Sequence, residues 1–195
     1  FRLVNRLNTG DITHMQATPT LWQMVLEAGF APTSRITMLA GGEPLPSDLA
    51  GKLTSGGGAL WNVYGPTETT IWSSISRIAP GERITIGHPI ANTALHVLGP
   101  QDQLLPVGAI GELNIGGAGL ATGYFHRPDL TEQAFRDVIV NGKAERLYRT
   151  GDLARRLTDG TIQVLGRNDG QVKLRGFRIE LGEIEAALRD LDDVN

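Results

Sequence analysis

Short apolar runs, separated by turn residues and by two stretches of helical periodicity, dominate the first third of the chain. Residues 12–17 form one such run and predict a strand. Pro19 then stands where a helix opens, and Leu21, Trp22, Val25 and Leu26 recur at helical spacing until Gly29. Residues 35–40 predict a second strand, which runs into GGEPLP at 41–46, and a weaker helical pattern over 47–53 leads through Gly56, Gly57 and Gly58 to a strand at 60–63. This βαβαβ order favours a parallel sheet, whose ligands sit beyond the carboxyl ends of the strands. Gly41-Gly42-Glu43 and Tyr64-Gly65-Pro66 both lie at such ends, so the two loops are expected to face one crevice. The triple glycine has no Lys-Ser or Lys-Thr after it and no helix opening on it, and it reads as a flexible turn, not a phosphate loop.

From about residue 84 the period changes to short strands broken by turn residues, at 95–98, 111–116 and 160–165, which predicts a small antiparallel barrel or sheet. Thr131 reads as the cap of a helix over 132–135, and the glycines of 116–123 read first as places where the backbone turns. Residues 171–180 suggest a short basic hairpin whose charges protect an edge. A helix then opens with Glu183 and Glu185 in its first turn and Ile184, Leu188 and Leu191 on one face. The expected fold is therefore α/β. Residues 1–83 form part of a parallel layer, 84–168 a β-barrel-like subdomain, and 169–195 the hinge and start of a mobile α+β C-terminal lid.

Composition narrows the functions available. The chain has 195 residues, 41% of them hydrophobic, which is enough for a real core. A net charge of -3 with no dense basic stretch argues against nucleic-acid binding. Without cysteine there is no disulfide, thiol nucleophile or thiolate metal site, and His14, His88, His96 and His126 lack ligand spacing. No apolar run approaches a membrane span, so a cytoplasmic protein without a membrane role is expected.

Two segments carry candidate chemistry. NVYGPTETT at 62–70 places an aromatic ring, a tight turn, a hydroxyl and a carboxylate within five residues, from Tyr64 to Glu68. Those parts suit a nucleotide and its metal if Thr67 and Glu68 point at one place; a plain polar loop after a strand is the other reading. YRTGDL at 148–153 sets Asp152 after a glycine turn that ends a strand, a geometry that suits the two hydroxyls of a ribose, or else an ordinary turn aspartate. Asp169-Gly170 offers a hinge.

Taken together, LAGGEPLP at 39–46, the 62–70 segment, GELNIGGAGLATGY at 111–124 with RPDLT at 127–131, 148–153, and GRNDGQVKLRGFRIELGEIE at 166–185 resemble the successive core motifs of the adenylation domains of nonribosomal peptide synthetases. They stand in that family's order and cover nearly the whole chain. The wider superfamily includes acyl-CoA synthetases and luciferases, but residues 171–185 are similar to the peptide-synthetase version in particular.

The resemblance implies activation of an amino-acid carboxylate by ATP and Mg²⁺ to an aminoacyl adenylate, then thioester formation on the phosphopantetheine of a peptidyl carrier domain. Carrier and condensation domains of the same synthetase are the implied partners. It further implies that Gly42, Glu43 and Pro44 border the adenine, with Asn62 close by and Tyr64 stacking on it. Thr67 would lie at the phosphates, Glu68 on Mg²⁺, Asp152 on the ribose hydroxyls and Arg167 near the ribose or phosphates. Asp169 becomes the hinge, Arg178 approaches the phosphate, and Gly176 borders the pantetheine path. Gln16, Met38, Ala40, Val63, Ile71 and Trp72 are the implied lining of the side-chain pocket, mostly apolar, which leans toward a neutral, moderately hydrophobic amino acid.

The family's upstream glycine-rich phosphate loop and its downstream catalytic lysine have no counterpart here, and Lys173 matches a different motif. The chain is thus expected to be an internal slice of a larger synthetase, inactive alone. A CoA-ligase segment and a non-catalytic adenylation-like scaffold are the alternatives.

Overall fold

The computed structural model describes residues 2–169, 171–174, 177–180, 184, 187 and 188. A first sheet has five strands in the order β1 (His14–Ala17), β2 (Thr37–Gly41), β3 (Ala59–Tyr64), β4 (Ser74–Ile78) and β5 (His88–Pro89). The first three are parallel, as the βαβαβ pattern predicts, and β4 and β5 extend the sheet antiparallel.

Helix α1 (Arg2–Thr9) was not legible, since only Val4 and Leu7 turn inward from it. Helix α2 (Pro19–Glu27) opens as expected: Pro19 begins it, and Thr18 Oγ1 accepts from Leu21 N at 3.2 Å. Helix α3 (Ser47–Thr54) carries Asp48 in its first turn and Lys52 in its last, both complementing its dipole.

Because β1, β2 and β3 follow one another in space as in sequence, right-handed crossovers put α2 and α3 on the same face. That face is the first core. Trp22, Val25, Leu49 and Leu53 from the helices meet Ala17, Met38, Ala40 and Leu60 from the strands. The indole Nε1 of buried Trp22 donates to Leu39 O at 3.0 Å, so its polar atom is not stranded. The three glycines at 56–58 form a packed turn, not the flexible one expected. A Cβ on Gly56 would lie 1.8 Å from Pro32 O, and one on Gly58 would lie 2.6 Å from Thr33 O.

The second sheet is antiparallel, in the order β10 (Ile162–Arg167), β9 (Lys143–Arg156), β7 (Ile110–Gly117) and β6 (Thr93–Leu98), with β8 (Phe135–Val140) paired to the first half of β9. Of the two forms predicted for this region, barrel or sheet, it is an open sheet among the described residues. Its core is Ile86, Leu95, Val97, Leu113, Ile115, Ala154 and Ile162, and Tyr64 from the first sheet packs against it.

Two expectations are corrected. Helix α4 runs Pro128–Ala134, starting four residues earlier than predicted, because Pro128 sets its first turn. Thr131 is interior, its hydroxyl donating to Arg127 O at 2.9 Å. Gly151 does not end a strand: β9 continues through it to Arg156, and its φ of +73° accompanies a register shift against β7. The predicted hairpin is present as β11 (Gln171–Leu174) and β12 (Phe177–Glu180). Residues 184, 187 and 188 are helical, and Leu191 lies outside the described residues. Among the described residues no helix is long and apolar enough to cross a membrane.

Candidate functional site

A cavity of about 580 Å³ lies where the carboxyl ends of β2 and β3 meet β9 and β10. Its volume falls within the range of small-molecule sites. Gly42, Glu43, Pro44, Asn62, Tyr64, Asp152 and Arg167 all line it, so seven residues spread over more than a hundred positions converge on one space. Ile84, Ile86 and Val164 supply apolar wall.

Each polar member is held. Glu43 Oε2 accepts from Thr20 N at 3.0 Å and from Thr20 Oγ1 at 2.7 Å, which ties the loop after β2 to the first turn of α2. Asn62 Nδ2 donates to Thr85 O at 2.8 Å. Asp152, 5% exposed, accepts from the Tyr64 hydroxyl on Oδ2 and from Arg167 Nη1 on Oδ1 at 2.8 Å. Burial first, and then the Asp152 charge, push the Tyr64 hydroxyl well above its ordinary 10, so it remains a donor. Each carboxylate oxygen has a second lone pair, which leaves acceptor capacity for a diol entering the cavity.

Arg167 also reaches forward along the chain. Its Nε and Nη2 donate to Asp169 Oδ1 and Oδ2 at 2.7 and 2.6 Å, a two-point pair. The pair lies directly over Gly151, where a Cβ would stand 2.4 Å from Asp169 Oδ2 and 2.6 Å from Arg167 Nη2. The candidate ribose carboxylate and the candidate hinge residue are thus joined by one guanidinium.

Thr67 and Glu68 lie outside the cavity lining, on a single 3-10 turn (Thr67–Thr69) two residues beyond Gly65. They do not share one environment as the sequence suggested. Thr67 is exposed, while Glu68 is buried with Oε1 accepting from the Tyr124 hydroxyl at 2.6 Å. Burial and the bond to Glu68 hold that hydroxyl well above its ordinary 10. Among the described residues no three His, Asp or Glu side chains converge as a metal cage. One buried carboxylate instead fits Mg²⁺, which takes one or two protein carboxylates and fills its shell with water and substrate phosphates. The turn itself is strained, for Thr70 and the β-branched Ile71 both have positive φ, 62° and 68°.

The side-chain pocket assignment divides by the pleat of the sheet. Met38 and Ala40 are fully buried against the helices. Gln16 and Val63 lie on the opposite face, which Leu39 and Gly41 share with them by register. A Cβ on Gly41 would come 2.6 Å from Val63 Cγ2 and 2.8 Å from Trp72 Cζ3, so Gly41, Val63 and Trp72 form one surface. Ile71 is exposed. Leu39 and Gly41 are the residues the sequence reading missed; counting alternation from Val63 through the β2–β3 register points to them. Of Arg178, only the strand position in β12 is described, and Gly176 lies outside the described residues.

The family model described as AMP-binding enzyme matches residues 2–125. The chain belongs to the AMP-binding enzyme family. A dimodular nonribosomal peptide synthase of Bacillus subtilis (strain 168) is 47% identical over 188 residues, 95% of this chain and 8% of the relative. The structure of a four-domain nonribosomal peptide synthetase bound to AMP and glycine superposes with a TM-score of 0.81 at 52% identity, covering 97% of this chain and 14% of that one. A peptide-synthetase protein containing adenylation and PCP domains, bound to a vinylsulfonamide inhibitor, gives a TM-score of 0.86 at 30% identity over 96% and 34% of the two chains. This AMP-binding family chain therefore spans a small part of the relatives it matches.

Proposed function

We propose that these residues form the nucleotide-facing part of an amino-acid adenylation site. The observation that carries the reading is the single cavity gathering Gly42, Glu43, Pro44, Asn62, Tyr64, Asp152 and Arg167. The substrate carboxylate attacks the α-phosphate of ATP, pyrophosphate leaves, and an aminoacyl adenylate remains. Catalysis of this kind rests on positioning and charge neutralisation. The loop of Gly42 to Pro44 and the Tyr64 ring hold the base, Asp152 accepts from the ribose hydroxyls, and Arg167 supplies positive charge beside it. Thr67 donates to the phosphates. Glu68 would hold Mg²⁺, which supplies neutralisation of phosphate charge when bound.

Residues 1–83, 84–168 and 169–195 act as two parts of the site and the start of a lid, with Asp169 as hinge and Arg178 approaching the phosphate. The lid then brings the phosphopantetheine of a carrier domain past Gly176, its thiol attacks the aminoacyl carbonyl, and the thioester forms as AMP leaves. The solved relative bound to AMP and glycine and the one containing a PCP domain support this reading. Carrier and condensation domains are the partners, and the compartment is the cytoplasm. The surface of Val63, Trp72, Leu39 and Gly41 favours a neutral, moderately hydrophobic amino acid.

ATP–pyrophosphate exchange by the full-length protein, with a panel of amino acids and simple carboxylic acids, tests this beside Glu68→Ala. Exchange that requires an amino acid and collapses in the variant is expected. Exchange with acyl or aryl acids alone assigns a CoA ligase, and silence with every acid assigns a scaffold.

A further inference from the structure

The loop at 118–124 grips the turn that carries Glu68. Ala121 N donates to Glu68 O at 2.8 Å, Thr70 Oγ1 donates to Gly119 O at 2.7 Å, and the Tyr124 hydroxyl donates to Glu68 Oε1 at 2.6 Å. Main chain and side chain of the turn are thus both held by a segment belonging to the other sheet. Tyr124 is itself fixed. Its N–H donates to Thr131 Oγ1 at 2.9 Å, and its ring meets Phe135 edge-on at 6.0 Å. Phe135 in turn packs on Tyr148 at 5.1 Å and carries the Arg146 guanidinium 4.6 Å above its ring. The approach needs Gly123, where a Cβ would stand 2.4 Å from Thr131 Cγ2.

We propose that Tyr124 is a positioning residue for Glu68, its hydroxyl setting the place of the carboxylate that takes the divalent cation; the inference rests on the adenylation reading above. A glutamate has three side-chain torsions, and a cation held by one protein carboxylate depends on where that carboxylate stands. Hydrogen-bonding partners behind a metal ligand typically change metal affinity by about 10- to 100-fold. A tyrosine anchored in β8 and β9 through aromatic contacts supplies such a partner.

The test uses the full-length protein with Tyr124→Phe, which removes only the hydroxyl and keeps the ring against Phe135, and Glu68→Gln alongside. Thr131→Val loosens the anchor with the hydroxyl in place and serves if Tyr124→Phe does not fold. Three quantities are read: half-saturating Mg²⁺ in pyrophosphate exchange, Mn²⁺ affinity of the complex with a non-hydrolysable ATP analogue by electron paramagnetic resonance, and AMP affinity in EDTA. Tyr124→Phe is expected to weaken both metal readouts by about tenfold and leave AMP affinity in EDTA unchanged. Thr131→Val shifts them in the same direction by less. A wild-type metal dependence in Tyr124→Phe, while Glu68→Gln loses it, overturns the positioning role alone. A loss of AMP affinity in EDTA as large as the loss in the two metal readouts overturns it too, since that marks a structural tether. An unmoved metal dependence in Glu68→Gln overturns this inference and the placing of the cation on Glu68 together.

Discussion

Replacing Arg167 by Met strips the cation from Asp152 while keeping most of the side chain's volume. The two side chains are 15% and 7% exposed, so the pair is largely out of water. Losing a buried charge-assisted hydrogen bond costs about 1.5 to 3 kcal/mol. A carboxylate stripped of every partner would cost about 3 to 5 kcal/mol, but Asp152 keeps the Tyr64 hydroxyl, which places the loss at the lower end. The lost contacts to Asp169, whose side chain is 43% exposed, add about 0 to 1 kcal/mol. The expected total is about 3 kcal/mol.

With Asp152→Asn in the background there is no charge left to strand, so Arg167→Met costs about 2 kcal/mol less there than in the wild type. Urea unfolding read by tryptophan fluorescence measures both, since Trp22, Trp61 and Trp72 all belong to the first sheet or to the segments that connect its strands. At a slope of about 2 kcal/mol per molar urea, the single variant moves the midpoint down by about 1.5 M. A coupling below about 0.5 kcal/mol would falsify the argument, because it would mean water reaches Asp152 freely and the pair contributes as little as a surface one.

Gly41→Ala forces a Cβ to within 2.6 Å of the Val63 carbonyl oxygen, which cannot rotate away; it is expected to cost about 1 to 3 kcal/mol and to weaken amino-acid binding more than nucleotide binding in calorimetry. Ile71→Gly is expected to leave the urea midpoint nearly unchanged, because the side chain is 58% exposed and glycine relieves a φ of +68°, whereas Ile86→Ala in the second core costs about 2 to 5 kcal/mol. The Asp129 carboxyl, hydrogen-bonded by Arg127, is lowered from 3.8 to about 2, so its contribution is present above its unfolded value and fades as pH falls through about 2. An NMR titration of its side chain should show this, and Arg127→Ala should return it to its ordinary range.

Local signals foretold α2, α3 and β1 to β3 because each carries its own period and its own punctuation. Pro19 and Gly29 bracket α2, and the strand ends fall on Gly41 and Tyr64. What local signals do not carry is partnership. β9 runs Lys143–Arg156 through a glycine that reads as a stop, because its partners β7, β8 and β10 supply the hydrogen bonds that continue it. α1 has two inward apolar residues and no terminal signal, so tertiary contact decides its existence. Of the seven cavity residues, Tyr64 and Asp152 were legible from the chemistry of their motifs and the other five from the family resemblance; Tyr124 was not, because a tyrosine after Gly123 carries no mark of which carboxylate it will meet.

The placing of Met38 and Ala40 shows where motif reading fails by a single position. A strand side chain at i and one at i+1 leave opposite faces, so an error of one residue exchanges the solvent face for the core. The helices choose between the faces: α2 and α3 both cover the side of Ala17, Met38, Ala40 and Leu60, since three consecutive parallel strands with right-handed crossovers leave them no other side. The face of Gln16, Leu39, Gly41 and Val63 is thereby the side of β1 to β3 that α2 and α3 leave uncovered, while Asn62 and Tyr64, in step with Leu60 on the helix side, reach the cavity only at the carboxyl end of β3. Gly41 marks the uncovered side, being the residue whose missing side chain lets Val63 and Trp72 close to a common surface.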